Sequence, residues 1–242
     1  MPTLLSVTGL TKSFGAIRVA DDTCFEIEAG AAVGILGPNG AGKTSLFNLI
    51  TGALAPDGGR IDFEGADITR QSAAKRCKLG IARSFQVPQP FGGLSVFENA
   101  LVGATQGAGL RGRAADEQAL DALEATGLLP VANQRAGSLT LLSRKRLEMA
   151  RALAAKPKLL LLDEIAGGLT DAECGDLIES IRSVHATGTT IIWIEHVVHA
   201  LMAVVEKLIV IDFGKKIAEG APEPILNSAE VKAIYLGVDP DA

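Results

Sequence analysis

Nothing in this chain is long and apolar enough to cross a bilayer: 48% of its 242 residues are apolar, yet charged and polar positions interrupt every run well short of that length. Its start, Met1-Pro2-Thr3-Leu4-Leu5, also lacks the basic region and long apolar core of a secretory signal, so a cytoplasmic location is expected. Positive charge is scarce as well. With 23 Lys and Arg against 28 Asp and Glu, the net charge is −5, which leaves no broad basic surface to bind nucleic acid by counterion release. The three cysteines, Cys24, Cys77 and Cys174, are odd in number and form no paired metal-ligand spacing, as suits free thiols in a reducing compartment. There is no internal repeat, no low-complexity tract and no Asn-Lys-x-Asp string that would read guanine. What remains is enough chain for one sizeable core, or two lobes sharing one.

Against these absences stands the octapeptide Gly37-Pro38-Asn39-Gly40-Ala41-Gly42-Lys43-Thr44, which fits the pattern Gly, four residues, Gly-Lys-Ser/Thr of a phosphate-binding loop. Ala31-Ala32-Val33-Gly34-Ile35-Leu36 before it reads as a buried strand. After it, Thr44-Ser45-Leu46-Phe47-Asn48-Leu49-Ile50 spaces apolar residues as a helix does. Strand, glycine loop and helix is the order such a site requires. Glycines without a Cβ let amide groups approach phosphate closely, and the helix beginning near Gly42 aims its free N–H groups at the same anion. Lys43 is expected to reach the β- and γ-phosphates and Thr44 to ligate Mg²⁺. Gly37 to Thr44, together with Ser45, form the expected nucleotide-binding set.

The rest of the chain falls into stretches. Residues 1 to about 30 alternate apolar and polar, as in Leu5-Ser6-Val7-Thr8 and Cys24-Phe25-Glu26-Ile27-Glu28, predicting antiparallel strands that flank the nucleotide core. Residues 93–156 read as an inserted helical lobe, with Glu117 to Ala125 and Arg144 to Ala155 the most periodic segments and Gly127 and Pro157 as stops. From Lys158 onward, runs such as Leu159-Leu160-Leu161-Leu162, Thr190 to Ile194 and Lys207 to Ile211 alternate with helical segments. The expected class is therefore α/β, with a mainly parallel sheet around the phosphate loop, an amino-terminal antiparallel β subdomain and an inserted helical subdomain.

Further candidate chemistry lies at strand ends. Leu159 to Leu162 suits a strand buried on both faces, so Asp163 and Glu164 emerge at its C-terminal end, where open α/β sheets place ligands. Asp163 is expected to hold Mg²⁺ and Glu164 to orient and polarise the water attacking the γ-phosphate. His196 closes the next strand and can donate to the γ-phosphate. Gln86 follows Ile81-Ala82-Arg83-Ser84-Phe85, another predicted strand, and can contact Mg²⁺ or the water. Phe14, one of only ten aromatics, lies between the first strands and can stack on a purine base. The apolar, loop-like Val87-Pro88-Gln89-Pro90-Phe91-Gly92-Gly93-Leu94 favours a docking surface for another protein. His185 and His199 receive no role.

An aromatic near the start, a phosphate loop, a glutamine loop, a helical lobe, an Asp-Glu strand and a histidine loop, in that order across essentially the whole chain, resemble the ATP-binding cassette family. The chain is most similar to the ATPase subunits of high-affinity branched-chain amino-acid importers. That likeness rests on Leu10-Thr11-Lys12-Ser13-Phe14-Gly15, on Arg144 to Leu153, on Ala166-Gly167-Gly168-Leu169 and on Ile217-Ala218-Glu219-Gly220. The resemblance implies one cassette domain over 1–242 that binds ATP and Mg²⁺ and hydrolyses ATP. It implies a dimer with a second cassette subunit, identical or different, sandwiching two ATP molecules. It also implies two membrane permease subunits above them, a periplasmic solute-binding protein acting indirectly, and a peripheral position on the inner face of the plasma membrane.

The chain departs from the family pattern in three places. The Leu-Ser-Gly-Gly-Gln signature, which contacts the partner's ATP, falls on Leu139-Thr140-Leu141-Leu142-Ser143 without either glycine, so steric obstruction is expected there. Ile165 stands where a proline usually follows the catalytic glutamate, and Thr170 where an aspartate is common. The expected function is the ATP-hydrolysing subunit of an importer for branched-chain amino acids or a related small polar solute; the alternatives are a soluble cassette ATPase without a permease and a nucleotide-dependent clamp with little turnover.

Overall fold

Alternating apolar and polar positions in the first thirty residues produce β1 (Thr3–Phe14) and β2 (Ile17–Glu28), an antiparallel pair with several register shifts, Ser6 opposite Glu26 and Val7 opposite Phe25. Leu5, Val7, Leu10, Phe25 and Ile27 bury one face of it. The fold described here is a computed structural model covering residues 2–236; the expected span 1–242 thus includes Met1 and 237–242, which lie outside the described residues. Next come β3 (Ala32–Leu36), buried throughout, α1 (Lys43–Thr51), β4 (Gly58–Phe63) and β5 (Ala66–Asp67). Sequence reading did not anticipate β4 and β5, which complete a four-stranded sheet in the order β2-β1-β4-β5. Leu5 pairs with Phe63 and Val7 with Ile61, so the apolar positions of three strands share one face.

The chain continues through α2 (Ala73–Leu79), β6 (Ile81–Arg83), α3 (Val96–Val102), α4 (Arg113–Ala125), α5 (Leu141–Ala154), β7 (Leu159–Asp163) and α6 (Asp171–Ala186). It then forms β8 (Thr190–Ile194), α7 (Val198–Met202), β9 (Lys207–Asp212), β10 (Lys215–Gly220), α8 (Pro222–Asn227) and α9 (Ala229–Leu236). These elements belong to two units, Met1–Ala73 with Ile192–Ala242, and Ala74–Ile191.

In the first unit, β3 pairs in parallel with β9, and β10 runs antiparallel on the far side of β9. The second unit holds the parallel pair β6 and β7 and a helical lobe. The lobe has its own core, in which Val96, Ala100 and Ala104 meet Ala119, Leu123, Leu147 and Ala150. Alanine dominates that contact, and small side chains let the helices approach closely. A π-helical turn, Gly103–Gly107, extends α3; a Cβ on Gly103 would lie 2.2 Å from the Arg151 carbonyl oxygen. The two predicted helices are present with earlier starts, because Thr140 caps α5 and Gly112 precedes α4.

Candidate active site

In the first unit, the phosphate loop joins β3 to α1. Gly37 and Gly42 are required by sterics: a Cβ on the first would lie 2.1 Å from the Ile211 carbonyl oxygen, and on the second, at φ 102°, 2.2 Å from that of Val19. Neither position accepts any other residue without moving a strand. Gly42 is the N-cap of α1 and has no side chain to cap the first turn, so the positive end of the helix dipole follows the loop directly. The Lys43 side chain is buried; Nζ donates to the carbonyl oxygens of Gly37 at 2.7 Å and Pro38 at 3.0 Å, so the ammonium is held against the loop. Thr44 and Ser45 follow in the first turn of α1, and Pro38, Asn39, Gly40 and Ala41 form the arch before it.

Phe14 ends β1 opposite Ile17 at the tip of the β1–β2 hairpin and is half exposed. His196 follows β8, also exposed. The Glu195 carboxylate beside it is fully buried and accepts from the backbone N–H groups of His196 (3.0 Å) and Val197 (3.4 Å), while His196 Nδ1 lies 3.5 Å away. Glu195 thereby fixes the backbone that carries the imidazole.

In the second unit, β7 is buried along its length and delivers Asp163 and Glu164 at its C-terminal end, as expected. The two carboxylates differ sharply. Asp163 is 1% exposed and its Oδ2 is paired with the Arg83 guanidinium at the end of β6, whereas its Oδ1 is buried without a hydrogen-bond partner. Glu164 is less buried and takes a left-handed backbone with φ 46°, and its Oε2 accepts a 2.6 Å hydrogen bond from Gln86 Nε2. Gln86 and Glu164, 78 positions apart, are thus brought into contact. The predicted strand before Gln86 ends at Arg83, because Ser84 turns its backbone and side chain to β7: its N–H donates to Leu161 and its hydroxyl accepts from Asp163 N–H.

The apolar loop after Gln86 exposes Val87 and Phe91, next to the exposed Phe85, and it is fastened from α3 and α5. Glu148 accepts from Gln89 N–H at 3.0 Å and from Arg151 at 2.7 Å, Arg151 lies over the Phe91 ring, and Asn99 bonds both backbone groups of Phe91. Burial pushes the Glu148 carboxyl above its ordinary value, against the opposing pull of Arg151 and the Gln89 N–H. Of the departures, Thr140 caps α5 through Ser143 N–H, and Leu141 is exposed beside the position of Gly168. Ile165 is buried. Thr170 caps α6 in a reciprocal arrangement with Glu173. Sequence reading missed Arg83, Glu195 and Lys145, whose buried ammonium donates to the Gly167 carbonyl oxygen at 2.6 Å.

A phosphate loop on an α/β core, with an antiparallel β subdomain and a helical lobe, defines a cassette ATPase, and comparison with known proteins agrees. The family model described as ABC transporter matches residues 20–167. The chain is 36% identical to the high-affinity branched-chain amino acid transport ATP-binding protein BraF of Pseudomonas aeruginosa, over 97% of this chain and 98% of that one. It is 32% identical to the lipopolysaccharide export system ATP-binding protein LptB of Haemophilus influenzae, over 97% of both. A crystal structure of an ABC transporter cassette in its ADP conformation superposes with a TM-score of 0.90 at 31% identity, covering 98% of this chain and all of that one. The chain belongs to the ABC transporter family as an ATP-binding, ATP-hydrolysing subunit.

Proposed function

We propose that the chain is the ATPase subunit of an importer for branched-chain amino acids or a related small polar solute. The observation that carries this reading is the 36% identity, over nearly the full length of both chains, to BraF and to the Escherichia coli branched-chain amino acid transport protein LivG. No helix among the described residues is long and apolar enough to cross a membrane, so in this reading two permease subunits carry the solute and a periplasmic binding protein delivers it. The cassette pairs with a second cassette at the cytoplasmic face, and nucleic acid has no part. The exposed Phe85, Val87 and Phe91 supply apolar area for the permease contact.

In this mechanism Phe14 stacks on adenine, and the loop amides with Lys43 hold the triphosphate. Asp163 Oδ1, a buried carboxylate oxygen without a hydrogen-bond partner, suits Mg²⁺, and in this reading the Thr44 hydroxyl and the Gln86 amide oxygen would be its other protein ligands. When bound, Mg²⁺ neutralises charge on the phosphate oxygens. Arg83 keeps the other Asp163 oxygen engaged, Glu164 polarises the attacking water while Gln86 sets its orientation, and His196 donates to the γ-phosphate.

The test is reconstitution with the permease subunits in vesicles and ATPase assay against binding proteins loaded from an amino-acid panel. A branched-chain amino acid is expected to stimulate turnover, and Glu164→Gln to lower it by roughly 10²–10⁴ with ATP still bound. Stimulation by lipopolysaccharide and by no amino acid would overturn the assignment. A low-turnover clamp is favoured by one observation, the exposed Leu141 side chain at the start of α5. It predicts that Leu142→Gly raises hydrolysis on the partner's loop, an effect that vanishes when the partner's own catalytic glutamate is glutamine.

A further inference from the structure

Phenylalanine is an awkward residue for a stacking platform at a hairpin tip, because it has no hydroxyl or N–H to anchor it as tyrosine or tryptophan would. Phe14 sits at such a tip with 52% of its surface exposed. Its orientation is nevertheless constrained from one side. The Lys12 ammonium lies 5.5 Å from the Phe14 ring centroid, within the range where a cation is attracted to an aromatic face.

Lys12 is itself fixed. Its Nζ donates to Asp57 Oδ1 at 2.7 Å, and its side chain is only 16% exposed. The other oxygen of the same carboxylate, Oδ2, accepts the backbone N–H of Ser13 at 2.8 Å, and the Asp57 N–H donates to the Thr11 carbonyl oxygen at 2.9 Å. One residue just before β4 therefore fastens three consecutive residues of β1, and the fourth is Phe14. Lys12 hydrogen-bonding and the Ser13 N–H hold the Asp57 carboxyl below its ordinary value, so it stays ionised through the neutral range.

We propose that Lys12 and Asp57 form a bracket that positions the Phe14 ring for a purine base, with Lys12 on one ring face and the base stacked on the other. Neither residue touches the base. Both act through Phe14, and the inference rests on the reading of Phe14 as the stacking residue. The bracket answers a need of this site: a ring with no polar handle, on a turn whose next residue, Gly15, has φ 59° and nothing within 4 Å of a Cβ built on it.

A measurement that separates base from phosphate tests this. Binding of MgATP and of magnesium tripolyphosphate, which has no base, is measured calorimetrically for the full-length chain and for Phe14→Ala, Lys12→Met, Lys12→Arg and Asp57→Ala. Phe14→Ala is expected to weaken ATP about tenfold or more. Lys12→Met is expected to weaken it about two- to fivefold and Asp57→Ala at least as much, while Lys12→Arg, which keeps a cation over the ring, stays near wild type. Tripolyphosphate affinity is unchanged throughout, and Lys12→Met adds nothing in a Phe14→Ala background.

Loss of tripolyphosphate binding in step with ATP would show a general structural role and overturn the proposal. So would ATP affinity unchanged in Lys12→Met and Asp57→Ala while Phe14→Ala weakens it. If Phe14→Ala itself leaves ATP affinity unchanged, the stacking reading fails first and the bracket has no ring to serve.

Discussion

Arg83 offers the sharpest test of how the end of β7 is held. Its guanidinium is paired with Asp163, and the two side chains are 8% and 2% exposed. Arg83→Met keeps the bulk of the side chain but strips the cation, leaving a buried carboxylate without its counterion. Breaking such a pair from one side costs about 3–5 kcal/mol. For a chain of this length each kcal/mol moves the melting midpoint by about 2–4 °C, so a loss of roughly 6–20 °C is expected. Adding Asp163→Leu removes the stranded charge and restores most of that loss, because replacing both partners with apolar groups of similar volume is often close to neutral. Urea unfolding followed by circular dichroism and by the fluorescence of Trp193, the only tryptophan and fully buried, measures all four corners of this cycle. Should Arg83→Met cost less than about 1 kcal/mol, or the double variant be no more stable than the single one, the claim that Asp163 depends on Arg83 is wrong.

Three further outcomes are expected. Lys43→Ala should weaken binding of a fluorescent ATP analogue and hydrolysis together, by at least about tenfold, since it removes a charge-assisted donor to the triphosphate. Thr170→Val should cost about 1 kcal/mol in urea unfolding, as expected for loss of the N-cap of α6, and leave nucleotide affinity unchanged. Glu148→Gln bears on pH dependence. Burial raises this carboxyl in the folded state, so its contribution is fully present below the unfolded value near 4.3 and is lost as pH rises through the folded value. The wild-type stability advantage over Glu148→Gln should accordingly shrink with rising pH above about 4.3, as read from urea midpoints between pH 4 and 7.

The phosphate loop was legible because its requirements are local: glycines where a Cβ meets Ile211 and Val19, then a lysine and a threonine entering a helix. Asp163 and Glu164 were legible from four preceding leucines. Their partners were not, since Arg83 and Gln86 meet them only across 80 and 78 positions, and an arginine ending a short strand reads equally well as a surface charge. Lys12 and Asp57 were hidden for the same reason, 45 positions apart. Thr170 is a different case. It stood out only as a departure from the family, although Thr170-Asp171-Ala172-Glu173 carries the Thr-x-x-Glu pattern of a capping box, as do Ser95 and Glu98 before α3. The strands β4 and β5 were missed because Gly58, Gly59 and Gly65 interrupt the alternation of Ile61 and Phe63 that marks them.

Glu164 holds a left-handed backbone that glycine would adopt freely and that costs any side-chain-bearing L-residue about 1–2 kcal/mol. With Glu164 as the proposed catalytic carboxylate, stability and turnover pull in opposite directions at this position. In the proposed mechanism, a mutant library sorted only for heat resistance would drift toward glycine at 164 and deliver well-behaved, long-lived protein that no longer hydrolyses ATP. Thermostabilising this subunit calls for selection under a turnover requirement, or for position 164 to be held constant from the outset.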